Sequence, residues 1–542
     1  MGSQSISRRD FLRVAGFSSA ALLFGRNLDA FGGRRASLLS PAAAMSASTL
    51  RAQMEPFVPD AEISITAAEK WVQILPGAQT RVWGYEGQLL GGSGVTVQAV
   101  PGSYLGPIIR AQSGQKLRIL FHNNLAEDSV IHPHGPRVPE ACDGHPMQAI
   151  GPGQTKVYEF QLIDRAGPYW FHPHPHMRTA EQVVMGLAGL LSVWDPEEES
   201  VVLGASTGAN DVPVIIQDRA FDSNNQILYQ PNQMWGYLGN RILVNGKPNA
   251  SFALEPRAYR LRVLNGSNAR TYKLAWSNNM PLKVIGTDGG LLPAVASRSY
   301  VMLMPGERVD VWADFSSLAG KQVILRSLSF DPMGMGGMGG GGMSGGGMGG
   351  GGMGGGGMGS SLANGAAFNI LTVNVGRKAN TKPVLGPLPA LSVRYDANNV
   401  PNYDAPRPFT LEMGPMMTWT INGRVFEMEA VAEDEMVYCD ETLAWEWINN
   451  SPIPHPMHMH NIQFQVVQRT APSTSSYATV NQGFVDSGWK DTVSVWPGER
   501  VKIAMTFGPH MGMYMYHCHI LEHEDMTMMR NYMIMDPMMP DM

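Results

Sequence analysis

Three cysteines among 542 residues leave room for one disulfide at most. The pair would be Cys142 with Cys439, and two separate thiols are the default reading. Charge is also scarce: 16% of residues are charged and the net charge is −6, which excludes a basic nucleic-acid surface. After residue 24 no apolar run reaches about 18 residues, so neither a transmembrane helix nor a membrane anchor is predicted. Histidine is missing from a long middle stretch: all 14 lie at 122–176 or 455–523.

Glycine (61), proline (38) and methionine (36) are abundant. With many short β-branched runs, this composition predicts an all-β chain rich in turns. Residues 116–121 (KLRILF) alternate and lead into a predicted loop holding His132 and His134. Residues 156–162 (KVYEFQL) alternate again, and Tyr169-Trp170-Phe171 runs straight into His172 and His174. Residues 187–194 read as a closing strand and 195–199 as a linker. A second unit opens at Val212, with strands at 241–245, 258–264 and 309–315. A third starts near Phe409, includes residues 419–423, and has strands at 443–448 and 462–467. Short strands at such intervals indicate sandwiches or barrels.

Two segments lie outside this pattern. Ser7-Arg8-Arg9-Asp10-Phe11-Leu12-Arg13 before a modestly apolar run matches a twin-arginine export signal, with a small-residue cleavage site at Ala42-Ala43-Ala44. The expected signal is 1–44, the expected partner is the twin-arginine export machinery, and the destination is the periplasm or cell exterior of a bacterium. Residues 333–359 are almost pure glycine, with methionine every fifth residue from Met338 to Met358. These thioethers suit transient capture of soft Cu(I); the alternative is a slippage-prone glycine tract.

Tyr516-His517-Cys518-His519, with His523 close behind, is the most informative stretch. In a strand His517 and His519 face one way and Cys518 the other. That places two metal centres on opposite faces of one strand, joined by covalent neighbours. A thiolate with imidazoles and a weak thioether is the ligand set of an electron-transferring copper site, and Met526, Met528 and Met529 are near enough to supply the thioether. Three more histidine motifs occur: His132-Pro133-His134-Gly135, His172-Pro173-His174 and His455-Pro456-Met457-His458-Met459-His460. His458 and His460 share a parity, whereas His455 is odd-spaced from both and sides with Cys518. The histidine-free middle reads as a spacer, so the two ends must meet in space to share ligands.

With these motifs, and with Trp170–His174, Met185–Gly189, Gly488–Thr492 and Leu521–Asp525, the chain resembles the multicopper oxidases, most closely bacterial three-domain laccases and cuprous oxidases. The resemblance implies three cupredoxin-like Greek-key domains, at 45–200, 201–400 and 401–542, and four copper ions. A type 1 copper would take His455, Cys518 and His523, with Met528 as weak axial ligand. A type 2 copper would take His132 and His458, and a type 3 pair His134, His172, His174, His460, His517 and His519. Asp143 and Glu524 match family positions that relay protons and orient water; the alternative is that they are ordinary salt-bridge or turn residues. His122, His145, His176 and His510 are left as surface or supporting residues.

The implied reaction couples four one-electron oxidations to reduction of dioxygen to water, with the reductant docked near the edges of His455 or His523. Phenols or aromatic amines are one substrate class and Cu(I) the other. A copper-sequestering or structural protein on the same fold is the alternative. Two departures from the family stand out: Pro133 replaces the usual tryptophan, and Ser451 and Ile453 replace the Asp and Met of cuprous oxidases.

Overall fold

Alternation of side chains decides the strands. Ala61–Val72 begins with buried and half-buried residues in strict turn, and its buried set of Ala61, Ile63, Ile65 and Ala67 enters the first core. A computed structural model describes residues 56–100, 102–333, 362–379, 381–472 and 476–538. The expected export signal at 1–44 and all but Met333 of the 333–359 segment lie outside them.

Among the described residues the strands form three successive pairs of sheets. The first pair holds a four-stranded sheet (Thr80–Gly92, Ala61–Val72, Lys116–Asn123, Thr155–Gln161) and a five-stranded one ending in Gly167–Pro173 and Ile131–His134. Seven- and five-stranded sheets follow between Asp211 and Val375, and six- and five-stranded sheets between Arg407 and Met535. Each pair encloses its own core: Phe121, Tyr158 and Phe171 in the first, Leu261, Trp276 and Val311 in the second, Trp445, Trp447 and Tyr516 in the third. One topological feature recurs three times. Ala61–Val72 runs parallel to Lys116–Asn123, Asp211–Arg219 to Ala258–Asn265, and Arg407–Met413 to Thr442–Asn449.

Two expectations need correction. Residues 195–199 are not a bare linker. Asp195 accepts a hydrogen bond from the Glu198 N–H at 2.7 Å and caps a short helix, Pro196–Val201, with proline at its first position. Glu198 is then buried against Arg260 and Arg262. His132 and His134 sit on a strand, Ile131–His134, rather than on a loop. That strand is the edge of its sheet, where Pro133 removes no ladder hydrogen bond. Cys142 and Cys439 are separate thiols, as the default reading had them. The Cys142 sulfur meets the Glu159 backbone at 3.3–3.4 Å.

Candidate metal centres

The strand Gly512–Cys518 lies between Met529–Met535 and His455–Met459, and its register sorts the ligands. Cys518 is opposite Met457, and His458 is opposite His517. Odd and even positions therefore collect different partners. Pro456 does not disturb this, since its carbonyl accepts from the His519 N–H at 2.7 Å.

On the cysteine face, the Cys518 sulfur is 3.3 Å from His455 Nδ1 and 3.7 Å from His523 Nδ1. All three residues are fully buried. The remaining ring nitrogens fix the tautomers. Ser451 gives its hydroxyl proton to the Ile453 carbonyl (3.0 Å), so its oxygen accepts from His455 Nε2 at 2.8 Å. His523 Nε2 donates to the Met234 carbonyl at 3.0 Å. Both rings thus turn an unprotonated Nδ1 towards the sulfur. Burial pushes the Cys518 thiol well up and holds His523 down at about 3, so the imidazole is neutral. A cation placed among them would reverse the penalty on the thiolate. Met528 is buried in the same core, its carbonyl accepting from the Cys518 N–H at 3.0 Å.

On the opposite face eight histidines meet, all fully buried: His132, His134, His172, His174, His458, His460, His517 and His519. His132 Nε2 and His458 Nε2 are 3.4 Å apart, as are His134 Nδ1 and His172 Nε2. His460 Nε2 lies 3.1 Å from His517 Nε2, and His174 Nε2 3.4 Å from the same atom. Carbonyls, which only accept, hold the outer nitrogens of four rings. They belong to Asp143 for His132 (2.6 Å), Asp491 for His458 (2.9 Å), Pro173 for His172 (2.9 Å) and Cys518 for His517 (3.1 Å). Each of these rings therefore directs a lone pair inward.

Both nitrogens of His519 lack any protein partner, as does His174 Nδ1. Buried polar atoms of this kind normally find a partner. Burial also lowers the basicity of His132, His134, His460 and His519, and leaves His172 at about 3 and His174 at about 4. A nest of neutral imidazoles with convergent lone pairs fits metal ions, and with a thiolate centre next to it the donor set fits copper.

The two carboxylates are deeply buried beside this nest. Asp143 Oδ2 is 2.8 Å from His460 Nδ1, while its Oδ1 has no partner. Glu524 places its oxygens 3.3 Å from His174 Nε2 and 3.1 Å from His517 Nδ1. Burial, helped by Glu140, pushes the Asp143 carboxyl well up. Burial pushes Glu524 up too, but His174 and His517 outweigh it and hold that carboxyl below its usual range. The two acids thus sit in environments that shift them in opposite directions.

The other histidines stay apart. His122 meets Thr155 Oγ1, His145 meets Asn531 Oδ1, His176 is exposed beside Phe426, and His510 is half-buried.

Two matches with multicopper oxidase family models cover residues 85–198 and 400–537. The multicopper oxidase mco of Staphylococcus haemolyticus is 31% identical over 432 residues, covering 79% of this chain and 81% of that protein. The chain belongs to the multicopper oxidase family. It is a copper oxidoreductase of laccase-like type. A laccase of Bacillus subtilis is 30% identical over 84% of this chain and 91% of its own length. The crystal structure of the McoA multicopper oxidase from Aquifex aeolicus superposes with a TM-score of 0.71 at 32% identity, covering 88% of this chain and 97% of that one. A cell division protein FtsP of Xenorhabdus nematophila is also similar, 28% identical over 82% of this chain and 85% of its length.

Two expectations about this multicopper oxidase change. The ring edges of His455 and His523 are not open docking points. Both residues are fully buried, their outer nitrogens are engaged, and Trp419 stacks on His523 with ring centres 4.4 Å apart. The middle region is also more than a spacer. Gly306 lies against the His519 ring, where a Cβ would fall 2.9 Å from it, and Arg308 reaches Asp491 beside the nest. Sequence reasoning assigned no role to Met234, Trp419, Arg308 or Asp491. Only Asp491 carried a signal, as part of the Gly488–Thr492 motif.

Proposed function

We propose that this multicopper oxidase couples four one-electron oxidations of a small reductant to reduction of dioxygen to two waters. His455, Cys518 and His523, with Met528, would hold a type 1 copper. His132 and His458 would hold a type 2 copper, and His134, His172, His174, His460, His517 and His519 a type 3 pair. When bound, the four ions supply one-electron redox chemistry and the site of dioxygen reduction. The observation that carries this reading is the strand register, with Cys518 facing one ligand set and its covalent neighbours His517 and His519 facing the other.

The chain's own groups have distinct tasks. Trp419 and the Met234 peptide cover His523, so a reductant passes its electron across them rather than touching the imidazole. Backbone continuity from Cys518 to His517 and His519 gives the shortest covalent link between the two faces. Four protons are consumed per dioxygen; Asp143, with Oδ1 free, would hold one, and Glu524 would pass protons beside His174 and His517.

Among reductants, phenols and aromatic amines suit electron transfer across a covered site. Cu(I) as a second substrate is supported by the 333–359 segment and by Met416, which is 92% exposed beside Met417. Ser451 and Ile453 are instead buried against His455, so a substrate-copper site built from an acid and a thioether there would have to be rebuilt elsewhere. Export by the twin-arginine machinery to the periplasm or exterior, and three cupredoxin domains at 45–200, 201–400 and 401–542, complete the proposal.

Dioxygen uptake by the copper-loaded protein with Cu(I) and with a phenol tests it. Turnover with either supports an oxidase, and none with both would favour a sequestering or structural protein. Deleting residues 333–359 then separates the substrates. A loss confined to Cu(I) supports the metal-oxidase role, and equal losses or none remove it.

A further inference from the structure

His134 differs from its neighbours in the nest. The Nε2 atoms of His132, His172, His458 and His517 turn inward and their Nδ1 atoms meet backbone carbonyls, whereas the outward nitrogen of His134 is Nε2 and meets a side chain. It lies 3.0 Å from Asp491 Oδ1 and 3.2 Å from Thr492 Oγ1. A carbonyl can only accept, so it fixes a tautomer by itself. A side chain does so only if it is itself held in place.

Asp491 is held in place by a residue from the middle region. The Arg308 guanidinium meets both its oxygens at 2.6 Å in a two-pronged pair, and both residues are fully buried. The rest of the fork is also used: Arg308 Nε donates to the Pro168 carbonyl at 2.9 Å, Nη1 to Gly306 at 3.1 Å and Nη2 to Asp288 at 3.2 Å. The Arg308 N–H donates to Asp288 Oδ1 at 2.7 Å, and Lys490 bridges Asp288 and Glu307 at 3.1 and 3.2 Å. The same peptide acts twice, since the Asp491 carbonyl fixes His458. Gly135, one residue past His134, leaves the space: a Cβ there would fall 2.6 Å from Asp491 Oδ2 and 2.8 Å from Arg308 Nη2.

We infer that Arg308 is a positioning residue for the eight-histidine cluster, acting through Asp491 to keep the His134 Nδ1 lone pair and the His458 ring aimed at bound copper. The inference rests on the functional reading above. It assigns the histidine-free middle region a part in the cluster that neither outer region supplies. Supporting groups of this kind are worth about 10- to 100-fold in metal affinity.

Two variants test it. Arg308→Lys keeps the charge and loses the two-pronged fit. The double variant Arg308→Gln/Asp491→Asn removes both charges, so no buried ion is left unpaired. Each is loaded with copper and titrated with EDTA, following cluster copper by metal content and electron paramagnetic resonance and the Cys518 centre by its blue absorption. The inference expects cluster copper to leave at about 10- to 100-fold less EDTA in both variants, while the blue absorption persists to the wild-type concentration. Cluster copper retained as in wild type overturns it. So does parallel loss of cluster copper and blue absorption, which would mark a general loosening of the fold. Failure of the wild-type protein to take up four coppers with a blue absorption would instead overturn the functional reading.

Discussion

The two faces of strand Gly512–Cys518 are built on opposite plans. The cysteine face draws its candidate ligands from residues 455–528 alone, packed inside one core with Trp447, Met457 and Tyr516. The histidine face is assembled from both ends of the chain: His132, His134, His172 and His174 come from one, and His458, His460, His517 and His519 from the other. It is braced by Arg308 and Gly306 from between them. A local centre needs mainly one well-packed core, with the Met234 carbonyl as its support from outside. An assembled centre needs both ends of the chain in place, and several of its buried imidazole and carboxylate atoms still lack a protein partner there. The first should therefore tolerate damage elsewhere, and the second should not.

The most severe way to break this comparison is to cut the link between the faces. Cys518→Ser removes the thiolate and should abolish blue absorption and lower turnover more than about 1000-fold, while the cluster keeps its copper. Glu524→Gln is next. It keeps shape but removes the ionised carboxylate beside His174 and His517, and turnover should fall about 100- to 10,000-fold with the blue absorption unchanged. Normal dioxygen uptake by this variant would remove Glu524 from the proton route.

Gly135→Ala sharpens the comparison at intermediate size. Gly135 has φ of +102°, and the added Cβ meets the Asp491–Arg308 pair. Backbone strain alone should cost about 1–3 kcal/mol, and thermal unfolding with copper analysis should show cluster loss before loss of blue absorption. Ser451→Ala should be the mildest. Losing the acceptor for His455 Nε2 costs about 1 kcal/mol, and should shift the blue absorption while leaving cluster copper untouched. A change in cluster copper here would mean the faces are less independent than their construction suggests.

Much of this was legible in the chain because the governing signals are local. The expected strand at 116–121 is observed as Lys116–Asn123, where buried side chains alternate, and that at 258–264 as Ala258–Asn265, which is buried on both faces. Parity likewise placed His455 with Cys518 and His458 with His517. What escaped is non-local. Arg308 reads as any strand residue, and its role depends on Asp491, 183 positions away. The burial of His523 was hidden for the same reason, because its cover comes from Met234 and Trp419, which are distant in sequence. The short helix at Pro196–Val201 was overlooked although its cap was readable, because a run of acids resembles a solvated linker until Glu198 finds Arg260 and Arg262.

Anomalous scattering at the copper edge, from crystals of the copper-loaded protein, tests the central claim most directly. The account predicts one peak beside the Cys518 sulfur between His455 and His523, and a separate group of three among the eight histidines on the other side of the strand. A bare sulfur, or a single peak in place of the group, would contradict it.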